Sequence, residues 1–574
     1  MSLLLDWIEA PSEDVGVHFL DDSGEWPYVP YSGMARRTRE IAAAIAAQGL
    51  APGGRLALLL PNGPEFLCAF HGALLAGLTP CPLATPSFLV DPESYRAHVA
   101  GILRIAQPVG MIVDVSTEDL ARQGAADAGL ADMPILTDLD GDAAQAPRSQ
   151  PAELALMQFT SGSSGRPRGA RVRWENLEAN MGMIANFIGF QPGDAGVSWL
   201  PLFHDMGLIG ALTLMAHQID GWVMRPEQFV LWPGRWLERF GSHGASIAVA
   251  PSFSFGYAAK RIKAQDVPQD SDFSTWRVAI TGADRVNPRA LSRFAELLAP
   301  YGFQSKTFAP AYGLAEATLV ASISEREETP HAVRMNWGQL RHGEPVEILD
   351  RQPIGAANEF EDTAEWLVGC GEPPSGVTVQ ILGEDGEPLP TGWLGEIAVG
   401  GVSVVDGYEG GDAGGPSSFL SDGTIRTGDA GFVSSGELYV IGRLGDAIKV
   451  RGRSIFAEDL EARLTEGVDE IRPGRGVVLT GMTAAGPSIV GIAEVDPGPW
   501  MEQAEQQLGR GLGGDVAVFV LSVPASTIER TSSGKPRRRV MWKRFLEGGL
   551  SEVLLATSAP LPEGVPVPDE ALAR

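Results

Sequence analysis

Between residues 35 and 110 helix-period and strand-like runs alternate: "ARRTREIAAAIAAQGL", "RLALLL", "PEFLCAFHGALLAGL" and "VGMIVDV". Short apolar runs without polar alternation read as strands buried on both faces, and a sheet buried on both faces needs helices to cover it. The rhythm therefore restricts this part of the chain to a layered α/β arrangement with parallel strands. It recurs through 185 to 325, where "ASIAVAPS" and "WRVAITGA" are strand candidates and "NPRALSRFAELLAPY" is a helix candidate. No short repeat of solenoid type is present. A chain of 574 residues exceeds what one core supports, so several domains are expected.

From about residue 375 the texture changes to short β-rich runs, "VTVQILGEDGEPLPTGWLGEIAVGG" and "GELYVIGRLGDAIKVRGRSIF", in which "EDGEP" and "SSGEL" have hairpin-turn composition. The expected architecture is α/β. A large N-terminal domain, 1–442, holds two βα-layered subdomains plus a small β-barrel-like subdomain. A hinge at 443–446 leads to a small mobile α+β C-terminal domain, 447–555. The proline-rich, acidic stretch at 556–574 is expected to be a disordered tail.

Seventy-two acids against 44 Lys and Arg give a net charge of −28. That balance argues against nucleic acid or an anionic membrane as a general partner. Cations do gather in "KVRGRSIF" and "RTSSGKPRRRVMWKR", leaving a local anionic partner open there. No apolar run is long enough to span a bilayer, and "MSLLLDWIEAPSEDVGVHF" lacks the basic start of a signal peptide. A cytoplasmic location without stable membrane insertion is expected. Cys68, Cys81 and Cys370 form no CxxC pair, which excludes a disulfide framework and the usual thiolate zinc spacing; they read as buried apolar residues.

The barest stretch is "LMQFTSGSSGRPRGARV", residues 156 to 172. Hydroxyls and glycines in one turn let a polyphosphate approach the backbone, whose N–H groups form an anion nest. The residues are not a Walker A loop, which requires Lys followed by Ser or Thr after the second glycine. Taken alone, the segment reads equally as a Gly/Ser linker.

"TSGSSGRPRG" together with "PLFHDMGLIG" (201 to 210), "AYGLAEATL" (311 to 319), "RTGDAGF" (426 to 432), "GRLGDAIKVRGRSIFAEDLE" (442 to 461) and "RTSSGKPRRR" (530 to 539) resembles the motif series of the adenylate-forming superfamily. Within it the chain is most similar to the fatty acyl-AMP ligases, over about residues 30 to 545. The resemblance implies an ATP-dependent enzyme using Mg²⁺ that joins a carboxylic acid to AMP and releases pyrophosphate. It implies that Thr160, Ser161, Gly162, Ser163, Ser164 and Gly165 hold the departing phosphates, with Arg168 standing where the family usually has Lys. The "GAD" of Gly282, Ala283 and Asp284 and the run Ala311, Tyr312, Gly313, Leu314, Ala315, Glu316 would enclose adenine. Glu316, beside Thr160, would hold the magnesium ion, and Asp429 and Arg443 the ribose.

His204 is implied at the reacting carboxylate, orienting and stabilising charge; a carboxylate nucleophile carries no proton to remove. The acyl pocket would use Asp205, Met206, Gly207, Leu208, Ile209, Ser252, Phe253 and Tyr257, though each reads equally as core. Lys535 would bridge the carboxylate and the α-phosphate, with an effect of roughly 3 to 4 kcal/mol. The flanking Arg537, Arg538 and Arg539 read as a solvated basic tail. Gly445 occupies the pivot position, where the family has Asp or Lys.

The acceptor is less determined. "NWGQLRHGEPVEILDR" (336 to 351) looks like the insertion that marks ligases transferring to the phosphopantetheine thiol of an acyl carrier protein; an ordinary surface loop is the alternative. Such carriers are acidic, so docking is expected around Lys449, Arg451, Arg453 and Arg537 to Arg539. A CoA-using ligase is the alternative enzyme, and a non-catalytic binding homologue the alternative class, favoured by Arg168, Asp284 with Arg285, and Gly445.

Overall fold

The computed structural model describes residues 2–86, 92–147, 149–160, 167–355, 360, 365–411, 417–450, 453–472, 474–483, 486–510, 512, 516–531, 534–550, 553–558 and 561. Its first sheet has four parallel strands in the order Thr79–Pro82, Arg55–Leu59, Gly110–Val113, Ile135–Leu136. The helices Tyr31–Ala47 and Pro64–Leu75 fall where the 3.6-residue period places them. Residues 56–59 of the central strand are fully buried, as a sheet covered on both sides requires.

The second sheet has eight strands, ordered Val320–Ile323, Phe308–Gly313, Val278–Gly282, Ile247–Pro251, Ala195–Ser198, Asp220–Val223, Gly16–Phe19, Tyr28–Pro30. Its inner pairs are parallel and its two outermost pairs antiparallel. Asn287 starts the helix Pro288–Leu298 by accepting the Ala290 N–H at 2.9 Å, with Pro288 at the first helical position. That helix buries Leu291, Phe294 and Leu298 in an aromatic core with Trp236, Phe240, Trp276 and Phe308. Phe240 stacks on Trp276 with ring centres 3.6 Å apart. Truncating such an aromatic costs about 3–5 kcal/mol, so this core fixes the sheet whose strand ends carry the candidate site.

The β-rich region forms a three-stranded sheet (Ile348–Pro353, His331–Met335, Trp366–Val368) and a five-stranded one built on Val377–Leu382, Gly395–Gly401, Ile425–Ser434 and Glu437–Arg443 with the short Ser418–Phe419. Ser434 pairs with Glu437 across Ser435 (φ 52°) and Gly436 (φ 85°), the left-handed pair of a type I′ turn that "SSGEL" suggests. "EDGEP" turns with Gly383 N–H donating to the Glu387 carbonyl at 2.8 Å. Among the described residues this sheet is open and the barrel-like expectation is corrected to that extent: its outer strands pack on other elements instead of closing, Val377–Leu382 on Val320–Ile323 and Glu437–Arg443 on Trp366–Val368 and the helix Ala457–Gly467.

The last part of the chain packs a hairpin (Ala447–Val450, Arg453–Phe456), helices Ala457–Gly467, Trp500–Gly509 and Arg538–Leu546, and a sheet ordered Gly476–Thr483, Gly486–Ala493, Ala517–Ser522, Ala556–Thr557. The final strand corrects the expected tail at its start. Ala556 is buried, Thr557 pairs with Leu521, and Ser558 N–H donates to the Val520 carbonyl; an apolar residue beside an unpaired sheet edge outweighs the local proline-rich composition. Residues 562–574 lie outside the described residues. Cys68, Cys81 and Cys370 are buried free thiols, each pushed up to about 12 by burial. No helix among the described residues is long and apolar enough to cross a membrane.

Candidate active site

The bare "TSGSSG" segment joins two antiparallel strands, Leu154–Thr160 and Arg168–Arg173, with Thr160 opposite Arg168. Thr160 and Arg168 thus stand at the two ends of the loop. Ser161, Gly162, Ser163, Ser164 and Gly165 lie outside the described residues. The Arg168 guanidinium sits 3.4 Å from the centre of the Tyr408 ring, and Nη2 donates to the Ser417 carbonyl at 3.4 Å. Tyr408 in turn donates its hydroxyl to Glu316 Oε1. Arg168, Tyr408 and Glu316 therefore form one chain of contacts beside the loop. Tyr408 is absent from the sequence-derived set, because a lone Tyr amid glycines has no period or spacing to mark it.

Glu316 is buried in the 3₁₀ turn Ala315–Ala317, directly after the strand Phe308–Gly313 and Leu314. Gly313 is required there: a Cβ would run into the Leu319 carbonyl oxygen. From the strand's end the Tyr312 hydroxyl donates to Asp429 Oδ2 at 2.7 Å, while Arg443 Nε lies 3.0 Å from Asp429 Oδ1. The Asp429 N–H rests on Thr427 Oγ1 at 3.1 Å. An ionised carboxylate offers about four lone-pair positions, so two partners leave room for the two hydroxyls of a ribose. Burial, then the Asp429 charge, pushes Tyr312 well above its ordinary value. Asp429 foremost raises Arg443 further above the guanidinium range. Both partners thus stay protonated donors.

Gly282, Ala283 and Asp284 follow the strand Val278–Gly282. Ala283 has φ 68°, a left-handed conformation that costs a residue with a Cβ about 1 kcal/mol or more. It turns Asp284 so that Oδ1 accepts the Ser252 N–H at 3.0 Å. Burial pushes Asp284 up to about 6, against the opposing Ser252 N–H and the Lys535 charge. Asp205 begins the helix Asp205–Ala216, which His204 precedes as N-cap. Its Oδ1 accepts the Met206 N–H at 2.7 Å, and burial raises it, again opposed by Lys535. Gly207 follows because a Cβ would strike the Pro201 carbonyl oxygen.

Lys535 reaches this region from the far end of the chain. A tight turn presents it: Gly534 has φ 81°, Lys535 N–H donates to Thr531 Oγ1 at 3.1 Å, and Thr531 N–H donates to the Lys535 carbonyl at 2.8 Å. Lys535 and Asp284 both keep accessible surface. Even so, desolvation is the largest influence on Lys535 and pulls it below its ordinary value; Arg443 acts the same way, and Asp429, Asp205 and Asp284 oppose. Asp205, Asp284, Asp429 and Arg443 from earlier in the chain and Lys535 from near its end are thus within electrostatic reach of one another and face the cleft of the candidate site.

His204 borders a small pocket of about 310 Å³, open space included, with Phe159, Thr160, Pro167, Phe203 and His98; sequence reasoning missed His98, which sits in a helix with no motif around it. A larger, mostly apolar cavity of about 640 Å³, open space included, runs along the Asp205–Ala216 helix and the strand at Ala195–Ser198. Met206 lines it, as do Gly210, Ala211, Leu214 and Met215. Other residues expected in an acyl pocket lie elsewhere. Leu208 and Ile209 are buried in the core behind the helix. Ser252 is buried with its hydroxyl accepting the Asn287 N–H at 2.8 Å. Phe253 is exposed, and the Tyr257 hydroxyl donates to the Val230 carbonyl on the outer face.

Two further expectations change. The basic run is not a solvated tail: Arg538 pairs with Glu461 (2.7 Å), Glu458 (3.2 Å) and Asp446 (3.7 Å), and Arg537 with Glu529 (3.4 Å). Arg539 reaches Asp446 at 3.9 Å and Lys449 pairs with Glu384. Carrier docking on Lys449 and Arg537 to Arg539 loses its basis because acids of the chain neutralise them; Arg451 lies outside the described residues. Gly445 has no positive φ. Its lack of a side chain instead accommodates the Arg539 guanidinium, which a Cβ would strike.

The lobe that bears Lys535 is held against the rest by Asn287 Nδ2 donating to Glu466 Oε1 at 2.9 Å, by Arg285 3.8 Å from Asp459, and by Ser454 N–H donating to the Leu340 carbonyl at 3.1 Å. Phe456 shares an apolar cluster with Leu340 and Trp337, both from the 336–351 segment.

The site gathers Thr160 and Arg168 at the two ends of one loop, the Asp429 carboxylate with Tyr312 and Arg443, and the Lys535 cation. The chain belongs to the AMP-binding enzyme family, whose pattern matches residues 8–409. It is 31% identical to the long-chain-fatty-acid--AMP ligase FadD26 of Mycobacterium marinum over 93% of this chain and 94% of that one. It is 32% identical to a putative acyl-CoA synthetase of Caulobacter vibrioides over 81% and 80%. A structure from studies of fatty acyl-adenylate ligases of E. coli and L. pneumophila superposes with a TM-score of 0.84 at 29% identity, covering 95% and 97%.

Proposed function

We infer that the protein is a fatty acyl-AMP ligase, which activates a fatty acid as its acyl-adenylate at the expense of ATP and then transfers the acyl group to the phosphopantetheine thiol of a carrier protein. The observation that carries the reading is the convergence of Tyr312 and Arg443 on the Asp429 carboxylate, with Lys535 within electrostatic reach of Asp429, Asp205 and Asp284. Two anions, a carboxylate and an α-phosphate, must meet there, and positioning with charge neutralisation is most of what such a reaction needs.

In the first half-reaction a carboxylate oxygen bonds to the α-phosphorus and the bond to the pyrophosphate oxygen breaks. Asp429 and Arg443 hold the ribose, Tyr312 and the Gly282–Asp284 turn the base, and Thr160 with Arg168 the leaving phosphates. Lys535 lies between the two reacting anions, and His204 orients the carboxylate. Glu316 fits a magnesium ion through one oxygen, since Tyr408 occupies Oε1; such an ion takes its other ligands from phosphates and water. Such a cation would offset phosphate charge. The apolar cavity beside Met206 takes the alkyl chain.

In the second half-reaction the thiol sulfur bonds to the acyl carbon, AMP departs with the bonding pair, and the thiol proton passes to solvent. The likeness to a long-chain-fatty-acid--AMP ligase over nearly the whole chain supports a carrier over free CoA, and the segment 336–351 packs on the lobe bearing Lys535 through Leu340 and Trp337. We place the domains at 1–442 and from 447 to at least 558, the final strand included, with a hinge at 443–446, and the protein in the cytoplasm. ATP–pyrophosphate exchange over acids of increasing length, followed by addition of a phosphopantetheinylated carrier or CoA, tests both halves.

A further inference from the structure

At the rim of the cleft, two helices meet at an exposed apolar face. Val230 (50% exposed), Leu231 (59%), Trp232 (44%) and Phe253 (52%) come from the end of the Pro226–Leu231 helix and the start of Ser252–Arg261. They form one patch. The Tyr257 hydroxyl donates to the Val230 carbonyl at 2.6 Å, and Trp199 stacks on Phe229 at 4.3 Å while meeting Phe253 edge-on at 5.9 Å. Contiguous apolar surface of this kind marks an interaction site.

The charge around it runs against that of the whole chain. From Arg225 to Lys263 there are six Lys or Arg and two acids, in a protein of net charge −28. Arg225 and Arg239 are ion-paired. Lys260, Arg261 and Lys263 are exposed where the second helix ends, and among the described residues no ion pair is described for them; Arg261 lies 5.9 Å from the Tyr257 ring centre. The other end of that helix belongs to the cleft: Ser252 N–H binds Asp284, which faces Lys535. Ten helical residues span about 15 Å, so the cationic end stands about that far from the reacting groups.

We propose that this face is where the carrier protein docks, an acidic carrier helix lying over Lys260, Arg261 and Lys263 and its apolar residues over Val230, Leu231 and Phe253. The inference rests on the carrier-transfer reading above. It supplies the cationic surface that the C-terminal run, neutralised by its own acids, does not. A small carrier feels only the charge within about 10 Å, so the distant acids do not repel it. An anionic bilayer meets a broad face of the −28 chain, and three free cations are fewer than the roughly four to eight that hold proteins on such leaflets. A second copy would set like charges opposite each other in a two-fold interface.

The test compares wild type with Lys260→Glu/Lys263→Glu and with Leu231→Asp, using a phosphopantetheinylated acyl carrier protein as the probe acceptor and free pantetheine as the small one. Expected is a loss of about tenfold or more in kcat/KM for the carrier, with pyrophosphate exchange and transfer to pantetheine within about twofold of wild type. Added salt should weaken the wild-type carrier reaction and leave the charge-reversed variant little changed. Carrier transfer at the wild-type rate in both variants overturns the proposal. So does loss, in the variants, of binding to phosphatidylglycerol vesicles or of self-association with carrier transfer intact, which assigns the face to a membrane or to a second copy. Wild type that serves pantetheine but no carrier overturns the acceptor reading and the docking surface together; absence of acid-dependent exchange in wild type overturns adenylation itself.

Discussion

Arg443 holds Asp429 with Nε 3.0 Å from Oδ1, and it is the last residue of its strand before the Leu444–Asp446 turn that leads into the second lobe. The residue that fixes the proposed ribose carboxylate is thus also the one next to the proposed hinge. Nucleotide binding and lobe position share a side chain.

Asp429→Asn keeps the shape but gives up the charge that both Tyr312 and Arg443 address. Hydrogen bonds to a charged group contribute about 1.5–3 kcal/mol, so ATP affinity should fall about 10- to 100-fold. Calorimetric titration with ATP measures this. Unchanged affinity would remove Asp429 from the nucleotide site.

Glu316→Gln should lower the exchange rate about a hundredfold or more and raise the Mg²⁺ concentration needed for half-maximal rate. Tyr408→Phe removes only the donor to Glu316 and the phenol end of the ring under Arg168, so its loss should be about tenfold or less. A Mg²⁺ titration of exchange in both variants distinguishes a ligand from a supporting residue.

Lys535 acts as a cation, and its pKa lies below the ordinary 10.5 because of desolvation and Arg443. A depressed lysine loses its proton, and with it the charge that joins the two anions, at a pH lower than a free lysine would. Asp284, pushed up to about 6 by burial, gains the charge that opposes this shift only as pH rises through that value. The exchange rate should therefore fall on an alkaline limb below 10.5. Asp284→Asn should move that limb lower. Lys535→Arg should abolish it in whatever activity remains. A pH–rate profile of the three proteins checks the limb; an unmoved alkaline limb in Lys535→Arg would assign it to another group.

Gly210 lines the apolar cavity, where a Cβ would meet only Val249 Cγ2 at 3.9 Å. Alanine should fit there, and leucine should fill the channel. Each buried methylene of a substrate is worth about 0.8 kcal/mol, so wild type should gain about fourfold in kcat/KM per methylene until the cavity is full. Gly210→Leu should stop that gain at a shorter acid, as a chain-length series would reveal. The same length profile in both proteins would place the acyl chain elsewhere.

Much of this was legible in the residues. Buried strands such as Val278–Gly282 advertise themselves because both faces must be apolar, and the motif residues Tyr312, Asp429 and Arg443 do converge. What failed depends on direction, which composition does not encode. Leu208 and Met206 lie two residues apart on one helix, both buried, yet only Met206 lines the cavity. Arg538 reads as a surface cation until folding sets Glu458, Glu461 and Asp446 around it. Tyr408 becomes meaningful only when a segment over 90 residues away brings Glu316 to its hydroxyl. Ala556 lies in a proline-rich stretch but finds an open sheet edge.

The account stands on Lys535 bringing a carboxylate and the α-phosphate of ATP together, and ATP–pyrophosphate exchange driven by a long-chain fatty acid tests it most directly. Wild type should exchange only when the acid is present, and Lys535→Ala should lose about 100- to 1000-fold of that rate while binding ATP nearly as well. Acid-dependent exchange of equal rate in both proteins would contradict it.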